Sequence, residues 1–160
     1  NSLKALEISP TFVRTYYEIA QAYLNKKDYP KAIEWFERVV KLNPEVKLSH
    51  WYLGVTVAQA GDVRKGAEII ESSGYDYWSS ETESLRMIDI YYQLGNFRKI
   101  AQIYELLIKR NPKNPQHYAS LAAAYKQTGE FDKAIKAAQT SAAIDPSFAA
   151  EAERFIKSLR

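Results

Sequence analysis

At 160 residues, with 46% apolar and 26% charged side chains, the chain has the make-up of a folded domain or a stretch of a repeat array, not of a disordered segment. A formal charge of +3 gives no electrostatic case for nucleic acid or an anionic membrane, and the absence of cysteine removes disulfides, thiolate catalysis and Cys-ligated zinc. No apolar run approaches the ~18 residues of a membrane span, and 12 tyrosines point to surfaces that are half apolar and half hydrogen-bonding.

The chain opens Asn1-Ser2-Leu3-Lys4, without Met and already inside a helical pattern. A piece of a longer protein would begin this way, so the lack of a leader excludes none upstream. Further on, Asp28 is placed to cap a helix whose first turn holds Pro30, where proline is tolerated. A second helix pair is cut short at Ser72-Ser73-Gly74, about where a helix should continue to residue 76. It leads into the aromatic run Tyr75-Asp76-Tyr77-Trp78, which either covers the shortened helix or forms a contact lobe. Ser80 followed by Glu83 reads as a capping box that restarts the chain as helix. Tyr118, Leu121, Ala122 and Tyr125 follow the i, i+3, i+4, i+7 spacing of a helix stripe. Thr128-Gly129-Glu130 breaks that helix, Phe131, Ala134, Ile135 and Ala138 open another, and Asp145-Pro146 closes it. A final stripe of Phe155, Ile156 and Leu159, backed by Glu151, Glu153, Arg154 and Lys157, suits a terminal capping helix.

These elements recur. Pro10, Pro44, Pro112 and Pro146 lie 34, 68 and 34 apart, and Gly61, Gly95 and Gly129 keep the same interval. Tyr29, Val63, Phe97 and Phe131 form another column, and Ile19, Leu53, Met87 and Leu121 a further one. Several independent columns agreeing on one period mark a repeat architecture.

The period, with Leu53-Gly54, Tyr125, Gly129, Phe131, Ala134 and Pro146, resembles the tetratricopeptide repeat (TPR). The resemblance implies an all-α fold, a right-handed α-solenoid of antiparallel helix pairs spanning 1–160 as a single domain. Its repeats would be 13–46, 47–80, 81–114 and 115–148, with 1–12 the end of a preceding repeat and 149–160 the terminal helix. Small residues at Ala20, Gly54 and Ala122, and at Ala32 and Ala134, would let paired helices approach closely. Ile88 and Ile100 stand where the family prefers small residues, so the angle within the third pair should differ.

The family's concave groove is lined by fixed positions of each first helix. Carried over, they yield a candidate protein- or peptide-binding set of Arg14, Tyr17, Trp51, Tyr52, Val55, Arg86, Asp89 and Tyr92. Trp, Tyr and Arg dominate binding hot spots. Trp51 and Tyr52 point about 100° apart, so one of them can serve packing while the other faces the groove. The carboxylate clamp of Hsp70- and Hsp90-binding TPR domains would need Lys and Asn where Tyr17, Gln21, Tyr52 and Thr82 stand; only Arg86 matches, which argues against that clamp.

Chemistry has little foothold. His50 and His117 are 67 residues apart with no metal-ligand spacing, and no phosphate-cradling glycine loop or cofactor motif occurs. Both histidines read as surface or packing residues. The expectation is a non-catalytic scaffold for a protein or peptide partner, with no cofactor, no nucleic acid and no membrane insertion. The alternative is an architectural module that self-associates through its groove or terminal helices. A pentatricopeptide-type RNA reader would have a 35-residue period and a basic face, which the 34-residue spacing and low charge oppose. Pro146-Ser147-Phe148-Ala149-Ala150-Glu151 resembles the soluble tails of bacterial envelope proteins; no compartment follows from it.

Overall fold

The computed structural model describes residues 10–159, and the expected end of a preceding repeat at 1–12 lies largely outside them. Every regular element among them is helical: α1 (Pro10–Asn25), α2 (Tyr29–Leu42), α3 (Lys47–Gln59), α4 (Val63–Ser73), α5 (Glu81–Gln93), α6 (Phe97–Arg110), α7 (Pro115–Thr128), α8 (Phe131–Ile144) and α9 (Ala149–Lys157). Single 3₁₀ turns at Tyr77–Ser79 and Pro146–Phe148 precede α5 and α9.

Helix starts are set by one recurring device. The carboxylates of Asp28 and Asp62 and the side-chain carbonyl of Asn96 accept the backbone N–H three residues on, at 3.4, 3.1 and 3.2 Å. This satisfies a donor that the first helical turn leaves unpaired. Ser80 does the same for α5, accepting from the Glu83 N–H at 3.4 Å, as the capping-box reading requires. The turns between paired helices need a left-handed residue, and glycine supplies it at Gly61, Gly95 and Gly129. In the first turn Lys27 occupies that place, at φ +58°. Gly74, also left-handed, ends α4 where Ser72-Ser73-Gly74 predicts.

Packing divides the chain into two compact units, with the boundary between Asp76 and Tyr77. In the first, Ala20, Phe36, Leu53 and Val57 form a core on which Tyr17, Leu24, Ile33 and Tyr52 rest. Burying a side chain such as Phe36 contributes about 1.5–3 kcal/mol. Here α3 and α4 cross at two glycines. A Cβ on Gly54 would sit 2.7 Å from the Gly66 carbonyl oxygen, and one on Gly66 would sit 2.5 Å from the Gly54 oxygen and 2.7 Å from the Ala58 Cβ. Glycine is required at both positions because backbone meets backbone.

In the second unit, Met87, Tyr91, Ile103, Leu107, Ala122, Ala134 and Ser141 are buried. The Ser141 hydroxyl donates to the Pro115 carbonyl at 2.9 Å, tying α8 to the start of α7. Ile88 and Ile100 take the places that Gly54 and Gly66 hold one period earlier. Both are buried, and the α5 and α6 backbones run close over a much shorter stretch than those of α7 and α8. The third pair thus keeps its backbones close over a shorter stretch than the fourth, in keeping with two bulky side chains at its crossing.

The aromatic run after α4 packs inward. Tyr75 stacks on Trp51 in the first unit, with ring centroids 5.2 Å apart. Tyr77 is buried in the second unit, where its carbonyl accepts from the Ser84 hydroxyl at 3.0 Å. His117, also buried, lies with Nε2 3.1 Å from Glu81 Oε1 and joins the first residue of α5 to α7 as a packing residue.

Candidate functional site

The first helices carry the candidate residues, and each unit presents its own set. In the first unit Tyr17 on α1 and Tyr52 on α3 meet edge to face, with centroids 5.2 Å apart, and both rest on Phe36 of α2. Aromatic pairs of this geometry contribute about 0.5–1.5 kcal/mol beyond the area they bury. Burial pushes the Tyr17 phenol above the usual tyrosine range, and its hydrogen bond with Tyr52 pushes it further; Gln21 donates to it at 3.2 Å. Arg14 is exposed and paired with Glu18 one turn on, at 2.9 Å. Beside Tyr17 lies a cleft of about 380 Å³ lined by Arg14, Val39 and the exposed Val46 and Leu48.

Trp51 and Val55 are not on an open face. Trp51 is 3% exposed and Val55 6%. The two are one turn apart, so they share a side of α3, and Trp51 turns it toward Tyr75. Of the adjacent pair, Trp51 is thus the packing residue and Tyr52 the half-buried one on the side of Tyr17.

In the second unit Arg86, Asp89 and Tyr92 lie on the exposed side of α5. Among the described residues neither Arg86 nor Asp89 has an ion-pair partner, whereas Arg14, Lys31, Arg38, Lys133 and Lys157 all pair within their own helical turn. Tyr92 is 67% exposed, its ring edge-on to Phe97 at 5.9 Å. Next to it opens a cleft of about 310 Å³ with Ile88, Phe97, Ile100 and Tyr104 on one side and Ala123 of α7 on the other. Ser120 and Gln127 supply polar groups at its edge. Sequence reasoning noticed Ile88 and Ile100 without foreseeing this cleft, and missed Gly66 as the partner of Gly54. The 34-residue register contained both signals.

No group of three or more His, Cys, Asp or Glu side chains able to hold a metal occurs among the described residues. Nor is any described helix long and apolar enough to cross a membrane. The Tyr125 phenol is pushed up by burial and by donation to Glu105 at 2.5 Å, a contact internal to the α6–α7 packing.

The tetratricopeptide-repeat family profiles match residues 13–46, 84–114 and 103–136, together more than half of the chain. The chain belongs to the tetratricopeptide-repeat family. TPR arrays are protein-interaction scaffolds, and that coarse role comes with the family. A TPR repeat-containing protein of Methanocaldococcus jannaschii is 28% identical over 110 residues, covering 69% of this chain and 19% of that protein. The Hsp70-Hsp90 organizing protein of Triticum aestivum is 24% identical over 132 residues, covering 81% of this chain and 21% of the wheat protein. This TPR chain therefore spans about a fifth of the length of these curated relatives. Among solved structures, MamA (41-end) from Desulfovibrio magneticus RS-1 matches with a TM-score of 0.67 at 16% identity, over 92% of this chain and 94% of that one. At that identity the likeness establishes the all-α, TPR-type solenoid fold alone.

Proposed function

We propose that this TPR chain is a non-catalytic scaffold that holds peptide or protein segments against its first helices, each unit presenting a face of its own. Arg14, Tyr17 and Tyr52 would make the contacts in the first unit and Arg86, Asp89 and Tyr92 in the second, with Trp51 and Val55 setting the position of Tyr52 from beneath. The observation that carries this reading is Tyr92: a large aromatic ring two-thirds exposed beside an apolar cleft, with two uncommitted charges on the same helix. Apart from its edge contact with Phe97 the ring is given to solvent, and it is the type of side chain on which binding energy concentrates. The Hsp-organizing relatives raise the question of a C-terminal carboxylate ligand. The positions that would clamp it hold Tyr17, Gln21, Tyr52 and Thr82, which favours an internal segment instead.

The test is selection of peptides on the wild-type chain, followed by titration of the winners against Tyr92→Ala and Arg86→Ala. Affinity should fall at least tenfold for Tyr92→Ala with helicity unchanged. Peptides indifferent to all of Tyr17, Tyr52, Arg86 and Tyr92 would sink the proposal. The self-assembling alternative is favoured by the exposed Val46 and Leu48, 42% each, at the start of α3. It predicts that sedimentation velocity finds a dimer or larger species that Leu48→Asp dissolves.

A further inference from the structure

At one crossing in each helix pair two residues face each other, and the pair of positions recurs with the 34-residue period: Ala20 and Ala32 in α1/α2, Gly54 and Gly66 in α3/α4, Ala122 and Ala134 in α7/α8. In α5/α6 the same two places hold Ile88 and Ile100. Three pairs close at this point and the fourth is held open. Beside this crossing lies the cleft of about 310 Å³, with the isoleucines, Tyr92, Phe97 and Tyr104 on its α5/α6 side and Ala123 of α7 opposite. A cavity of about 150 Å³ lined by apolar side chains is enough to admit benzene, so the cleft takes a leucine- or phenylalanine-sized group.

Charge decides what accompanies that group. Asp89 follows Ile88 directly, lies one turn before Tyr92, and is exposed, its carboxylate without an ion-pair partner among the described residues. Two cations on neighbouring elements are occupied: Lys126 donates to Ser158 at 3.0 Å and lies over the Phe155 ring, and Lys99 lies over the Tyr91 ring. Arg86 is a further turn back along α5, on the far side of Asp89 from Tyr92.

We infer that the cleft between the α5/α6 pair and α7 is a specificity pocket for a peptide segment bearing a bulky apolar anchor next to a basic residue, the anchor seated on Ile88 and Ile100 and the cation paired with Asp89. This rests on the scaffold reading and names the partner chemistry of its second-unit face.

The experiment is methyl-detected NMR on the full chain, titrated with three probes: N-acetyl-Phe-Lys-amide, N-acetyl-Phe-Glu-amide and N-acetyl-Ala-Lys-amide. Saturable shifts at the Ile88, Ile100 and Ala123 methyls are expected with the Phe-Lys probe. The Phe-Glu probe should bind about two- to fivefold more weakly, as an exposed ion pair allows, and the Ala-Lys probe at least about tenfold more weakly. Asp89→Asn should abolish the preference for lysine over glutamate. Ala123→Trp, which fills the cleft from an exposed position, should abolish the saturable shifts at Ile88 and Ile100; Tyr92→Ala, removing an exposed wall, should weaken them if the tryptophan variant does not fold. Absence of saturable shifts at these methyls, or equal binding of the Ala-Lys probe, overturns the inference. Peptides selected on the wild type that bind Ala123→Trp undiminished also overturn it while leaving the scaffold reading intact; only indifference to the surface variants of both units removes that reading.

Discussion

The α3/α4 and α5/α6 pairs use the same two register positions for opposite ends. At Gly54 and Gly66 the backbones come so close that neither position has room for a methyl group. At Ile88 and Ile100 two branched side chains fill the same crossing and push the helices apart, leaving an open apolar cleft beside them. Glycine at a crossing gives up helix propensity, about 1 kcal/mol per residue relative to alanine, in return for closer packing. Isoleucine keeps the buried area and gives up the close approach. Within one repeat type, a pair of residues thus sets whether a helix hairpin is a closed strut or an open jaw.

The largest effect should come from transplanting the open crossing into the closed pair. Gly66→Ile drives a branched side chain into the Gly54 carbonyl and Ala58, and is expected to cost about 3 kcal/mol or more in urea unfolding. Closing the jaw comes next. Ile100→Ala removes buried volume, a change that spans about 2–5 kcal/mol. A loss near 2 kcal/mol is expected, because α5 and α6 can collapse toward the spacing of the alanine pairs. Ile88→Ala with Ile100→Ala should then cost less than the two singles summed, and a double-mutant cycle reads that coupling. If the losses add, the crossing does not close and the comparison fails.

A smaller change separates the crossing from the turn. Lys27 holds the left-handed conformation that glycine adopts in the other turns. Lys27→Gly should stabilise the first unit by about 1 kcal/mol, without altering how α1 meets α2. The smallest effect is alkaline. The Tyr17 and Tyr125 phenols lie above the ordinary range because burial opposes ionisation, so the folded chain holds their protons longer than the unfolded one. That stability is fully present below about pH 10, the unfolded tyrosine value, and is lost as pH rises toward the folded values. Thermal unfolding followed from pH 9 upward should show a shallower decline for Tyr17→Phe than for the wild type.

Much of this was legible in the residues. The turn glycines and the closing prolines follow from local chemistry repeated every 34 residues, and the early end of α4 at Gly74 and the restart at Ser80 from local chemistry that interrupts that period. The direction of Trp51 did not. From Leu53 to Ala58 every residue of α3 is buried, so the helix has no polar stripe from which to read its phase. Trp51 and Tyr52 were distinguishable as a pair, yet which of them turned inward depended on Tyr75, a residue beyond α4. The cleft was half legible: bulk at Ile88 and Ile100 signalled a wider angle, but whether neighbouring side chains would fill the space depended on Ala123 and Ala124 of the next pair being small.

The contact between His117 and Glu81 joins residues 36 apart, the bond from Lys126 to Ser158 joins residues 32 apart, and that from Ser141 to Pro115 joins residues 26 apart. Each of these three ties closes a loop of about one repeat. Loop-closure entropy grows only slowly with length, and chains dominated by such short-range contacts fold in the microsecond-to-millisecond range. Within the second unit the search for native partners is therefore a short-range one. A further repeat spliced onto the C-terminal side would add stability without lengthening the slowest step of folding.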